Sequence, residues 1–194
     1  MRFLAQLNAF LFRRAGPRLR GLLSGPLRQV AFHRLGRHNK IYGGEAIHAG
    51  QRVCIGDFCW IEAVVRYGAQ SFQPAIVLRD GVMISDMTHI SAVSRIEIGR
   101  DCLLGSKIYI GDHSHGTARL TADSCRTPPG RRPLDDIAEI AIGDDCWIGD
   151  GAVILAGSRI AAGSIVAANA VVKLQTDKPA LIAGNPAKVV RYFE

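Results

Sequence analysis

Three histidines carry the most direct reactive chemistry in this sequence. Two stand one residue apart in Ile110-Gly111-Asp112-His113-Ser114-His115-Gly116, and the third is His89, in Asp86-Met87-Thr88-His89-Ile90. Imidazole changes charge nearer neutrality than any other unperturbed side chain, so it can take a proton from a weak nucleophile such as a hydroxyl and return it to a leaving group. The same three histidines could instead hold zinc, but two of them separated by one residue on a turn are awkward ligands for a single ion. The five cysteines, at positions 54, 59, 102, 125 and 146, form no C-x-x-C pair and sit mostly inside apolar runs. Disulfides and a zinc knuckle are therefore not expected, and a reducing cytoplasm is.

The elements that position these residues are set by an internal period. From Ile142 onward an aliphatic residue recurs every sixth position, at Ile142, Ile148, Ile154, Ile160, Val166 and Val172, and the fourth residue after each of the first five is small: Cys146, Ala152, Ser158, Ser164 and Ala170. Six matches neither a helical period nor the alternation of a half-exposed strand. A three-sided coil of short strands keeps such residues facing inward, with Ile142 stacking on Ile160 and Ile148 on Val166. Gly143, Gly149, Gly157, Gly163 and Asn169 are expected to supply unusual backbone angles at the corners. Glycine, at 21 residues, and aromatics, at 7%, suit a turn-rich fold with a small-aliphatic core.

The same phrase recurs upstream in Ile55-Gly56-Asp57-Phe58-Cys59-Trp60-Ile61, at Leu78 to Ile84, and in Ile98-Gly99-Arg100-Asp101-Cys102-Leu103-Leu104, to be compared with Ile142-Gly143-Asp144-Asp145-Cys146-Trp147-Ile148. These starts are not multiples of eighteen apart, so the earlier coils must carry insertions. The largest, residues 116–139, has no hexad period, contains Thr127-Pro128-Pro129-Gly130-Arg131-Arg132-Pro133, and reads as a loop thrown out beside the histidines. Residues 177–194 close the stack, since a solenoid needs capped ends. The expected fold is all-β, a left-handed parallel β-helix over residues 41–194 preceded by an arm over residues 1–40.

That arm holds nine Lys or Arg and no Asp or Glu, so the overall charge of +7 less this +9 leaves −2 for residues 41–194. A general nucleic-acid surface is not implied. Phe3, Leu7, Phe10 and Leu11 share one helical face, and arginines follow at 13, 14, 18 and 20. Peripheral contact with an anionic membrane and an N-terminal cap on the first coil are both open readings. Apolar stretches broken by arginine exclude a spanning helix there. A cytoplasmic protein, at most peripheral at the inner face of the membrane, is expected.

The hexad array, the I-G-D-D-C-W-I-G phrase and the closing Ala183-Gly184-Asn185-Pro186-Ala187-Lys188 together resemble the hexapeptide-repeat acyltransferases, nearest to the branch of maltose, galactoside and polysaccharide O-acetyltransferases. The resemblance covers roughly residues 41–194. It implies acetyl-CoA as acyl donor, a sugar or lipid-linked glycan as acceptor, direct transfer without an acyl-enzyme, and a homotrimer with cofactor between adjacent prisms. By register with that branch His115 is the general base and His113 the runner-up. A backbone N–H at a coil corner would hold the oxyanion, and the imidazolium would protonate the leaving thiolate.

His89, ahead of the coil that starts at Ile98, could face the same cleft and orient the base or contact the acceptor. The candidate acceptor residue Asp86 stands with Ser85 in the region where related sugar O-acetyltransferases often carry an asparagine, a departure that bears on how the acceptor or oxyanion is held. The resemblance places the pantetheine arm along the C-terminal coils at Gly149, Ala156 and Ala168, the CoA phosphates near Lys173, Lys188 and Arg191, and the adenine near Pro186. The repeat is shared by other activities, so N-acetylation of an amino sugar, a γ-class carbonic anhydrase-like zinc site and a non-catalytic scaffold are alternatives.

Overall fold

The computed structural model describes residues 16–21, 30–116 and 126–194. Three parallel sheets of short strands form the sides of a left-handed β-helical prism. The eight-stranded face stacks Arg34–Leu35, Cys54–Ile55, Met83–Ile84, Leu103–Leu104, Trp147–Ile148, Ile165–Val166 and Ala180–Gly184, and ends on the antiparallel Ala187–Tyr192. The six-stranded face stacks Lys40–Tyr42, Trp60–Ala63, His89–Ala92, Tyr109–Gly111, Val153–Leu155 and Val171–Val172. The five-stranded face stacks Ile47–Ala49, Ala75–Leu78, Arg95–Ile98, Ile140–Ile142 and Arg159–Ile160.

The hexad rule holds where it was read. Ile142 pairs with Ile160, Ile148 with Val166 and Ile154 with Val172, and all six are at most 3% exposed. The small partners Cys146, Ala152, Ser158, Ser164 and Ala170 are buried as well. Each fully buried Ile, Leu or Val contributes about 1.5–3 kcal/mol, and nearly every strand of the three parallel faces supplies one.

Upstream, coil length varies. Ile90 pairs with Ile61, 29 residues earlier, Ile110 with Ile90 at 20, and Ile154 with Ile110 at 44. All the extra residues leave at one corner, where the six-stranded face passes to the five-stranded face. The Arg66–Tyr67/Gln70–Ser71 hairpin and the described ends of the long loop, residues 113–116 and 126–138, therefore lie on the same edge of the prism. The described part of the loop is docked, not free: Leu134 is buried and its backbone N–H and carbonyl both bond to the Gln70 amide, at 2.7 and 3.0 Å.

Three expectations change. The coil stack starts before residue 41, because Val30, Phe32 and Leu35 join the core and Arg34–Leu35 pairs with Cys54–Ile55. Gly143 and Gly149 do not serve through backbone angle. A Cβ there would meet the next coil's backbone at Ala162 N, 2.4 Å, and Ala168 N, 2.6 Å. Gly157, Gly163 and Asn169 do have φ of 83°, 71° and 58°. The repeated phrase marks a hexad and not a face, since Ile55 lies on the eight-stranded side and Ile142 on the five-stranded side.

The terminal hairpin of Ala180–Gly184 and Ala187–Tyr192 closes one end of the prism. At the other, residues 16–21 are helical and Arg20 Nε donates to the carbonyls of Leu35 and Gly36. The apolar face at Phe3 to Leu11 and the arginines at 13 and 14 lie outside the described residues, as does Cys125. No helix among the described residues is long and apolar enough to cross a membrane.

Candidate active site

The strand Tyr109–Gly111 delivers His113 and His115 to the corner from which both insertions leave. Asp112, fully buried, organises that corner. Its carboxylate accepts the backbone N–H of Val93 at 2.9 Å and of Ser94 at 2.8 Å, and its carbonyl accepts the N–H of Ala138 at 3.0 Å. His113 Nδ1 lies 2.9 Å from Asp112 Oδ1, and the His113 side chain is only 7% exposed. A buried carboxylate accepts, so His113 Nδ1 carries the proton in this pair. Ser114 and Asp135 exchange backbone N–H···O bonds at 2.8 and 3.0 Å, and Ser114 Oγ donates to Asp135 Oδ1 at 2.7 Å.

His115 stands beyond this clamp, exposed, with its ring edge-on to Tyr67 at 5.2 Å. Its Nδ1 lies 3.2 Å from Tyr67 Oη, and Tyr67 Oη donates its one proton to the Gly130 carbonyl at 2.9 Å. Tyr67 can then only accept from His115, so Nδ1 holds the imidazole proton and Nε2 presents its lone pair. No described residue engages that Nε2. His113 and His115 are 6.3 Å apart between ring centroids. The two histidines thus divide: one is buried against a carboxylate, and the other is oriented from behind and, among the described residues, exposed.

His89 lies on the six-stranded face, stacked on Trp60 at 4.4 Å and edge-on to Tyr109 at 5.4 Å. Its Nε2 is buried without a hydrogen bond and is 3.8 Å from Glu62 Oε1. Glu62 accepts from Ser91 Oγ and Trp60 Nε1, each at 2.9 Å. Its carboxyl sits below the ordinary value, chiefly through His89, with Ser91 and Trp60 adding to this and burial opposing it. Tyr109 sits above its ordinary value, through burial first and then the Asp112 and Glu62 charges.

Asp86 is not brought to this cluster. It occupies the far end of the same face, where its carboxylate accepts the Asp57 N–H at 2.7 Å as one rung of a corner ladder. Gly149 and Ala156 are buried, so neither offers surface to a ligand. Ala168, Lys173, Pro186, Lys188 and Arg191 are exposed, with Lys173 Nζ 2.6 Å from Asp136 and Arg191 over the Phe193 ring at 5.3 Å. Among the described residues no three of His, Cys, Asp and Glu gather in a metal-ligating arrangement.

Glu62, Tyr67 and Asp112 went unread in the sequence. Aligning the hexads Trp60-Ile61-Glu62, His89-Ile90-Ser91 and Tyr109-Ile110-Gly111 would have put Glu62 beside Ser91. Nothing in the period points to Tyr67, which lies in an insertion.

Comparison with known proteins agrees with this architecture. The bacterial transferase hexapeptide (six repeats) family model matches residues 140–173. The chain is 36% identical over 120 residues to WbbJ of Escherichia coli (strain K12), a protein named for O-acetyl transfer in lipopolysaccharide biosynthesis, and the match spans 61% of each chain. A variant of the Bacillus cereus N-acyltransferase AntD, solved with dTDP-4-amino-4,6-dideoxyglucose and coenzyme A, shares the fold at a TM-score of 0.66, with 18% identity over 88% of this chain and 89% of that one. A maltose O-acetyltransferase from Clostridium difficile 630 shares it at 0.52, with 21% identity over 87% and 73%. In its repeat and in its coil architecture, the chain is similar to the hexapeptide-repeat, left-handed β-helix acyltransferases.

Proposed function

We propose that this protein is an acetyl-CoA-dependent acetyltransferase that modifies a hydroxyl of a sugar or lipid-linked glycan, with His115 as general base. The observation that carries the reading is the Gly130–Tyr67–His115 chain, which fixes the imidazole with its Nε2 lone pair toward solvent at the corner where the loop and hairpin meet. His113 is the weaker choice because it is almost fully covered and committed to Asp112.

In the proposed reaction His115 Nε2 takes the acceptor hydroxyl proton as its oxygen attacks the thioester carbonyl. The oxyanion is met by a backbone N–H at a coil corner. Collapse forms the ester and releases CoA thiolate, which takes the proton from the imidazolium. A general base of this kind contributes ~10²–10⁴ in rate, and joint binding of donor and acceptor adds to it. The acyl donor is assigned to the C-terminal coils near Ala168, with Lys188 and Arg191 exposed for its phosphates. Lys173 would first have to leave Asp136.

His89 lies on the acceptor side in this reading, and a homotrimer buries the apolar ladder of the eight-stranded face. Peripheral contact of residues 1–40 with an anionic membrane would bring a lipid-linked acceptor near. The test is release of CoA thiol from acetyl-CoA with neutral sugar acceptors, comparing wild type, His115→Ala and His113→Ala after each is shown to be folded. Loss of at least 100-fold in His115→Ala supports the base, and retained activity in that variant removes it.

A further inference from the structure

The outer surface of the six-stranded face carries two parallel rows. One runs Lys40, Trp60, His89, Tyr109 and Val153, and the row beside it runs Tyr42, Glu62, Ser91, Gly111 and Leu155. The second row lies nearer the corner that holds His113 and His115. At its centre is a carboxylate, Glu62, whose side chain is 21% exposed and whose two oxygens are held in place by Ser91 and Trp60. Each oxygen keeps a second lone-pair direction for another donor.

Gly111 opens a gap in that row, and Tyr109 fills it. A Cβ at Gly111 would lie 2.2 Å from Tyr109 Oη, so the phenol lies along the strand toward the His113–His115 corner only because no side chain is there. No described residue bonds that hydroxyl. Tyr42, 54% exposed, flanks Glu62 on the other side. The result is a polar shelf with fixed acceptors, a free phenolic donor and an aromatic edge, leading to the proposed base.

We propose that Glu62 and Tyr109 form the acceptor subsite beside His115, and that Glu62 selects a neutral pyranose over one bearing a carboxylate. Adjacent ring hydroxyls donate to the Glu62 oxygens, and Tyr109 Oη donates to a ring substituent nearer the base. A carboxylated sugar meets Glu62 and the buried Asp112 charge instead, a like-charge mismatch that discriminates by repulsion. This inference rests on the acetyltransfer reading.

The experiment measures acetyl transfer to methyl glucoside, galactoside and mannoside and to the corresponding methyl uronides, with wild type, Glu62→Gln, Tyr109→Phe and His115→Ala. Glutamine keeps the shape and removes the charge: its one oxygen accepts from Trp60 Nε1 and its amide N–H donates to a turned Ser91 Oγ, so a folded variant with a modestly lowered thermal midpoint is expected. The expected result is a preference of the wild type for neutral acceptors. In Glu62→Gln the acceptor KM rises about tenfold, kcat and the acetyl-CoA KM stay within about twofold, and the preference over uronides narrows about tenfold. Tyr109→Phe raises the acceptor KM without altering that preference. A wild type that uses uronides as readily as neutral sugars overturns the subsite, and one that uses neither class overturns the acetyltransfer reading on which it rests. A Glu62→Gln enzyme with wild-type acceptor KM also overturns the subsite. Full activity in His115→Ala strikes instead at the acetyltransfer mechanism, so the two failures are separable.

Discussion

Tyr67 acts on His115 from behind, and its removal isolates that effect. Tyr67→Phe deletes the acceptor for Nδ1–H while keeping the ring packed against the imidazole. One net hydrogen bond is worth about 0.5–1.5 kcal/mol, so kcat is expected to fall by about 3–10-fold with the acetyl-CoA KM unchanged. An unaltered kcat would show that the tautomer is set elsewhere. Asp112 belongs to the frame: Asp112→Ala leaves the Val93 and Ser94 N–H groups and His113 Nδ1 without their partner, and costs about 1–3 kcal/mol for each buried group, read by chemical denaturation. Glu62 gives a pH signature. Its folded-state value lies below the ordinary carboxyl value of 4.5, so it stabilises the fold above that pH and loses the contribution as pH falls through the folded value. Glu62→Gln is expected to flatten the acid limb of the stability profile below pH 4.5. An unchanged limb would contradict the Glu62 contacts.

At the scale of the coil, glycine positions separate two causes. Gly149→Ala forces a Cβ against the Ala167–Ala168 backbone, where neither strand can yield without shifting the stack, and a loss of about 1–3 kcal/mol is expected. Gly130→Ala, with open space around it, is expected within about 0.5 kcal/mol of wild type. Equal thermal midpoints for the two variants would refute the close-approach account. The coils were legible in the sequence wherever the spacing is strictly eighteen, from Ile142 on, because every inward position then carries its own aliphatic or small residue. Upstream the offsets of 29, 20 and 44 hide the register, and only the fold shows that every insertion exits at one corner. His115 was readable because it sits at the end of a hexad. Tyr67 and Gly130 were not, since they come from two insertions 63 residues apart that meet only in space. The glycine reading at Gly143 and Gly149 failed because a glycine gives the same letter for a backbone angle and for a close contact. The arm boundary at residue 40 failed because arginine density masked Val30, Phe32 and Leu35, which already face the core.

On the whole molecule, the eight-stranded face shows an outward apolar ladder. Met83, Leu103 and Trp147 are 53%, 43% and 53% exposed on neighbouring strands, with Ile165 next in register. The five-stranded face is instead laced by Arg79, Arg95 and Glu97. In the homotrimer proposal this apolar ladder is the surface that the neighbouring subunit covers. Trp147→Glu is expected to weaken assembly more than tenfold, as loss of a central aromatic does at interfaces, seen by light scattering as a shift toward monomer. A wild type that is already monomeric would contradict the assembly.

The measurement that reaches the central claim most directly is CoA release from acetyl-CoA with a neutral pyranoside, wild type against His115→Ala, both shown to be folded. The account predicts turnover that depends on the acceptor in the wild type and a loss of at least 100-fold in the variant. Undiminished turnover without the His115 imidazole would contradict it.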